Sequence, residues 1–292
     1  MAGTTSAGQA GPFDRRLRRL RRDRAAAGGG RADYLHHRAA DELIERLDLV
    51  QRRFHNALDL GCGDSYLTER LRERGLAVVP ADAGRLFAAA ASGVQGDEDR
   101  LPFADQAFDL IVSVGALDSV NDLPGALTLI RRALRPDGLF LAAFAGAGSL
   151  PRLRAALRAA EEAEAVAASP RIHPQIDVRA AGDLLSRAGF ALPVVDSEGV
   201  TVRFGHLGQL VADLRAMGGT NLLAARSKRS FGRLGLAAAA VQFAAAADPD
   251  GKTSERFEIL HLSGWAPSQD QPRPARRGSA TASLADALRK KG

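Results

Sequence analysis

Apolar residues recur at different spacings along this chain, and the spacing marks out its elements. Residues 33–49 carry Leu35, Ala39, Leu43 and Leu47 at helical intervals, which predicts a helix. The apolar run 57–60 predicts a strand, Gly61-Cys62-Gly63 a turn, and residues 66–74 a helix stopped by Gly75. The alternation continues with a strand at 77–80, a helix at 87–91, a weak strand at 93–96 and a strongly buried strand at 108–114. A helix over 124–134, halted by Pro136-Asp137-Gly138, leads to a strand at 139–144, and residues 178–188 give a further helix. Strands and helices in alternation predict a parallel sheet with right-handed crossovers.

The last third changes rhythm. Val200, Val202 and Phe204 alternate as in an antiparallel strand over 194–204, and 256–265 reads as its partner. Residues 206–247 between them are helical in pattern with a break at Gly218-Gly219, and the Ala-rich stretch 236–247 reads as a packed helix. The fold class is therefore α/β, a mostly parallel twisted sheet with an antiparallel C-terminal hairpin and a helical insertion at about 206–247. Three segments follow: a basic, partly disordered arm over 1–32, broken from the rest at residues 28–30; a main domain over 33–266; and an extended Pro- and Arg-rich tail over 267–292.

Composition narrows the setting. The 292 residues carry a formal net charge of +6, and Lys occurs only at 228, 252, 290 and 291. The abundance of Ala, Arg and Gly reads as the codon usage of a GC-rich bacterial genome, which weakens any inference from basicity to nucleic acid, and no nucleic-acid partner is expected. The single Cys62 allows neither an internal disulfide nor a cysteine zinc site, and the six His show no ligand spacing, so no metal is expected. Residues 15–24 hold seven Arg with Leu17 and Leu20 between them. A patch for RNA or an anionic membrane, an organellar presequence and a solvated helical arm all fit this run, and the solvated arm is the preferred reading.

The chemistry sits at the first strand–turn–helix. A Gly-rich turn lets a ligand approach the backbone, and an acidic residue about 20 positions on holds ribose hydroxyls; here these are Gly61, Cys62 and Gly63, then Asp82. A dinucleotide turn needs a third Gly where this chain has Tyr66, and Asp64 would repel a pyrophosphate. Cationic S-adenosylmethionine suits a rim of Asp59 and Asp64 instead, and Asp64 can equally cap the following helix. Asp97-Glu98 after the third strand, then Leu101-Pro102-Phe103 and Phe108-Asp109-Leu110, resemble in order and spacing the adenine side of the Rossmann-like class I methyltransferase superfamily. The cofactor set is thus Asp59, Gly61, Cys62, Gly63, Asp82, Asp97, Glu98 and Ser113.

Further residues carry a second resemblance. They are Phe13-Asp14-Arg15, Asp33-Tyr34-Leu35, Asn121-Asp122-Leu123-Pro124, Ser169-Pro170 with His173-Pro174, Leu184, Arg187-Ala188-Gly189-Phe190, Asp213-Leu214, Met217-Gly218, residues 237–241, Gly264-Trp265 and Arg276-Arg277-Gly278-Ser279-Ala280-Thr281. Across nearly the whole chain these resemble the assembly factors of respiratory complex I that act as arginine hydroxylases on a quinone-module subunit. A more distant likeness is to malonyl-carrier-protein O-methyltransferases of biotin synthesis. The first resemblance implies an S-adenosylmethionine fold, a protein substrate in complex I assembly and peripheral contact with a membrane. It places the chain in the cytoplasm at the inner membrane face of a bacterium, or in the mitochondrial matrix of a eukaryote. An RNA-binding methyltransferase is a further alternative. Where the family carries Leu-His-Trp, this chain has Leu117-Asp118-Ser119, a carboxylate that can hold a guanidinium. Tyr34, Asp118 and His173 are the candidates for the acceptor side, Tyr34 as a lid contact and not a base.

Overall fold

The computed structural model describes residues 11–28, 32–269 and 271. Seven strands form one sheet: β1 (Asn56–Leu60), β2 (Ala77–Asp82), β3 (Val94–Gln95), β4 (Phe108–Val114), β5 (Leu134–Ala145), β6 (Ala191–Phe204) and β7 (Thr253–Trp265), in the order β3-β2-β1-β4-β5-β7-β6. The first five run parallel, while β7 lies antiparallel to both β5 and β6. The chain reverses direction across the sheet between β1 and β4, and in open α/β sheets that reversal opens a crevice beyond the strands' carboxyl ends.

Helices cover both faces. On one, α2 (Tyr34–Asp48) and α3 (Tyr66–Glu73) bury Leu43, Ile44, Leu67 and Leu71 against Leu110, Val112 and Leu141. On the other, α5 (Leu123–Ala133) and α7 (Val178–Arg187) press Leu127, Ile130, Ala181 and Leu185 onto Ile111, Phe140 and Leu262. The short α4 (Arg85–Ala90) follows β2. Both α5 and α7 start on an Asp cap: Asp122 accepts from the Gly125 amide at 2.9 Å and Asp177 from the Ala180 amide at 2.8 Å. The expected stop at Pro136-Asp137-Gly138 is absorbed inside β5, where the register against β4 shifts.

The helical stretch 206–247 has its expected break at Gly218-Gly219, but the break is longer than predicted: α8 (Leu207–Ala216) and α9 (Arg233–Ala244) are parted by an irregular segment over 217–232. The Ala-rich α9 is not packed all round: Gly235, Ala239 and Phe243 are buried, while Leu234, Leu236 and Val241 stand 64%, 57% and 69% exposed. An unforeseen helix, α6 (Pro151–Ala163), packs beside α9. Its start is capped from a distance by the buried Glu255 carboxylate of β7, which accepts from the Arg152 and Leu153 amides at 3.1 and 2.7 Å. No helix of the described residues is long and apolar enough to cross a membrane.

The basic arm is the largest departure. Residues 15–27 form α1 (Arg15–Ala27), capped by Asp14, which accepts from the Leu17 amide. Arg18, Arg22 and Ala25 are buried in the body of the protein, so the solvated-arm reading fails on this face. The expected break at 28–30 and the tail from 272 fall largely outside the described residues.

Candidate functional site

At the end of β1 the chain turns through Gly61 (φ 89°) and Gly63 (φ 53°), backbone conformations that side-chain-bearing residues rarely take. A Cβ on Gly61 would come within 2.5 Å of the Ala116 methyl. The Gly61 and Cys62 amides donate to the Ala81 carbonyl at 2.7 and 3.0 Å, locking the turn to β2. Cys62 is buried, and burial pushes its thiol well above the usual range, so the thiol itself stays protonated and unreactive. Asp64 accepts from the Tyr66 amide at 3.2 Å and pairs with His37 at 2.6 Å.

Asp59 and Asp82 flank the turn in opposite electrostatic states. Asp59 is 1% exposed, and burial raises its carboxyl to about 7 although the Thr68 hydroxyl donates to it at 2.6 Å. Burial would raise Asp82 too, but the Arg22 guanidinium outweighs it and holds the carboxyl below its ordinary value. Arg22 grips Asp82 with both Nε and Nη2, and the Gly63 and Gly84 amides donate to the same carboxylate at 3.2 and 2.7 Å.

Arg22 is one of three. Arg18 forms a bidentate pair with the fully buried Glu98 at 2.7 and 2.6 Å, and its Nε donates to the Ser119 hydroxyl at 2.9 Å. Arg15 binds Asp97 through Nε at 3.1 Å and through Nη2, and Glu98 at 2.7 Å. Burial opposes ionisation at Asp97, yet Arg15 holds that carboxyl low. At positions i, i+3 and i+7 the three arginines line one face of α1. That face meets every acidic residue the sequence assigns to the sugar and the base. Ser113 lies elsewhere, its hydroxyl donating to the Leu60 carbonyl at 2.7 Å inside the sheet. The free space left beside the Gly turn is about 30 Å³.

A second cavity of about 340 Å³ opens next to it, floored by Val114, Gly115 and Asp118 and walled by Leu35, Leu153, Ile172 and Met217. Asp118 and His173 both line it, so the structure joins these two candidates. Burial raises the Asp118 carboxyl, opposed by the charges of His173, Arg18 and His36. Burial lowers His173, and its Nε2 accepts the Leu222 amide at 3.1 Å, which occupies the lone pair a base would need. Tyr34 is placed apart: its half-exposed ring donates a hydroxyl hydrogen bond to Asp213 at 3.0 Å, tying α2 to α8, and it lines neither cavity. Burial, helped by that bond, pushes its phenol up.

Sequence reasoning missed His36 and Glu258 on the cavity wall, Arg18 and Arg22, which line the same cavity while they hold Glu98 and Asp82, and Arg15 beside them. His36 had a readable neighbour: its ring lies over Gly115 (φ 62°), where a Cβ would come within 2.5 Å of Nε2. The arginines had their spacing; nothing local marked Glu258.

A methyltransferase-domain family matches residues 58–142, which span β1 to most of β5. The arginine-hydroxylase NDUFAF5, mitochondrial, of Danio rerio is 34% identical over 94% of this chain and 88% of its own length. The chain belongs to the NDUFAF5 arginine-hydroxylase family. Relatives of this family extend to a malonyl-[acyl-carrier protein] O-methyltransferase of Laribacter hongkongensis, 31% identical over 87% of this chain and 89% of that protein. Among solved structures, the YcgJ protein of Bacillus subtilis superposes with a TM-score of 0.54 at 16% identity, over 80% of this chain and all of that one, and shares the fold. The methyltransferase domain makes this NDUFAF5-family chain an enzyme with S-adenosylmethionine as cofactor. The side-chain-free turn and the Asp82 carboxylate at the end of β2 suit a nucleoside with a cationic tail, and in this structure Asp82 is paired with Arg22.

Proposed function

We propose that this chain modifies an arginine side chain of a protein substrate, a quinone-module subunit of respiratory complex I, using S-adenosylmethionine bound by Gly61, Cys62, Gly63, Asp59, Asp82, Asp97 and Glu98. The observation that carries the reading is Asp118: a carboxylate lining a cavity of about 340 Å³ next to the Gly-rich turn. A guanidinium entering there meets a charge partner in a desolvated site, where such a pair is short and strong. The arginine-hydroxylase name of its relatives supports an arginine as the group modified, and their mitochondrial placement is compatible with a substrate in the respiratory chain.

The bound cofactor supplies an electrophilic methyl group on a sulfonium. The protein's part is alignment, which can provide several kcal/mol of a barrier without any special acid or base. Val114, Leu35 and Leu153 give the cavity apolar walls. Asp118 orients the guanidinium, and with its carboxyl raised by burial it is the residue best suited to accept a proton from it. His173, fixed by Leu222 and Phe13, shapes the wall; its ring centroid lies 5.0 Å from that of Phe13. The RNA reading loses three of the seven arginines of its patch, because Arg15, Arg18 and Arg22 are paired with carboxylates inside the protein.

Deletion of the gene, followed by mass spectrometry of the complex I subunits, tests the proposal. One arginine should lose a +16 shift if the product is hydroxylated, or +14 if it is methylated, and complex I activity should fall. Identical arginine masses and unchanged complex I activity in both strains would refute it.

A further inference from the structure

The cleft that the sequence assigns to the cofactor is filled by the chain's own N-terminal helix. Arg22 takes Asp82 in a bidentate grip, Nε on one carboxylate oxygen and Nη2 on the other, and the Gly84 and Gly63 amides donate to the same two oxygens. Arg18 threads between Glu98 and the Ala116–Ser119 backbone, donating to Glu98, to the Ser119 hydroxyl and, at 3.4 Å, to the Ala116 carbonyl. Arg15 donates to the Ser119 carbonyl at 2.7 Å as well as to Asp97 and Glu98. The remaining space beside the turn, about 30 Å³, is a tenth or less of the roughly 300–1,000 Å³ that small-molecule sites enclose. With α1 seated, the carboxylates that would hold the sugar and the base are already paired with arginines.

Two ends hold the helix in place. At the start, the Phe13 amide donates to the Asn121 side chain at 2.7 Å, and the Asp14 amide to the Leu222 carbonyl at 2.8 Å. At the end, Ala25 packs against Gly218, where an ideal Cβ would stand 3.7 Å from the Ala25 Cβ. Both anchors reach the 217–232 segment that also walls the acceptor cavity.

We infer that α1 is a built-in competitor for the cofactor: Arg15, Arg18 and Arg22 occupy the carboxylates that would hold the sugar and base, so S-adenosylmethionine binds only when α1 leaves the cleft. This rests on the cofactor assignment above and adds a linkage to it. Whatever stabilises the seated helix weakens cofactor affinity by the same factor, and bound cofactor loosens the helix reciprocally. Because α1 and the acceptor cavity share the 217–232 segment, release of the helix also frees one wall of that cavity.

A disulfide lock tests this directly. The 3.7 Å separation lies inside the Cβ–Cβ range of about 3.5–4.5 Å for disulfides. The double variant Ala25→Cys/Gly218→Cys in the full chain should therefore close on oxidation. Strain from the positive φ of Gly218 (74°) is present in both redox states and cancels between them. The buried Cys62 thiol does not compete. Titrating S-adenosylhomocysteine by calorimetry, the reduced variant should bind as the wild type does, and the oxidised variant should bind at least about 100-fold more weakly. Equal affinity in the two redox states overturns the inference. As a second variant, Arg22→Gln should tighten S-adenosylhomocysteine binding about tenfold, and S-adenosylhomocysteine should speed amide exchange over residues 17–28 of the wild type. Weaker binding by Arg22→Gln would make Arg22 a cofactor ligand and sink the competitor reading. A wild-type chain that binds no S-adenosylhomocysteine at any concentration would instead refute the cofactor assignment itself.

Discussion

The most charged helix of this protein is buried along one side, and its most apolar helix is exposed along one side. α1 carries seven arginines, and Arg18 and Arg22 are 3% and 8% exposed; α9 is almost wholly Ala, Leu, Val and Phe, yet Val241 is 69% exposed. Burial follows the partners an element meets, not its average polarity. α1 meets Asp82, Asp97 and Glu98, whose own burial would be costly without a cation. α9 meets α6 through only its smallest residues and Phe243, so its other faces remain in solvent.

That comparison can be broken at several points. The largest effect belongs to the buried stripe of α9: Phe243→Ala should lose about 3–5 kcal/mol in urea unfolding, because a 1%-exposed ring leaves a cavity beside Ala239 and Phe257. A loss under 1 kcal/mol would mean that α9 is not docked in solution. Next is α1: Arg22→Met should cost about 3 kcal/mol by leaving Asp82 buried without its cation. The double variant Arg22→Met/Asp82→Asn should recover most of that; no recovery would show that packing, not charge, seats the helix.

The third sharpens the role of the guanidinium by contrast with Asp59, the buried carboxylate nearby that has no cation. Its folded-state carboxyl lies at about 7, above the unfolded value, so its contribution is fully favourable below pH 4 and is lost as pH rises from about 4 to 7. Asp59→Asn should therefore raise stability at pH 8 by roughly 2–4 kcal/mol and by nothing at pH 4. Asp82 runs the other way: its lowered carboxyl stabilises above the unfolded value and loses that effect as pH falls. A pH-independent gain at Asp59 would contradict the assignment. The smallest effect is on the open face of α9, where Val241→Lys should change stability by less than about 0.5 kcal/mol, read as an unchanged thermal midpoint.

Much of the scaffold could be read from residue order. β4 has its predicted bounds, α2, α3, α5 and α7 end within a residue or two of expectation, and the antiparallel partners β6 and β7 follow from the alternation at Val200, Val202 and Phe204. The turn at Gly61 and Gly63 with Asp82 at the end of β2 was equally legible, since a positive φ and a strand-end carboxylate leave local signatures. Helix α6 also carries local signs, Pro151 in its first turn and Leu153, Ala156 and Ala160 at helical spacing; only its cap, Glu255 on β7, is remote from it in sequence. His173 and Asp118 were each visible, but not the Leu222 amide that occupies the His173 lone pair.

The sequence by itself determined the alternating α/β order, the Gly-rich turn and the acidic residues around it, because periodicity, backbone freedom and residue chemistry act over a few neighbouring positions. Only the tertiary structure decided that the arginine-rich arm lies in the acidic cleft, that Tyr34 stands away from Asp118, and that α9 keeps an apolar face in solvent. Charge pairing and burial depend on which surfaces meet, and residues 18 and 98, or 22 and 82, become neighbours only when the sheet's crevice forms and α1 crosses it.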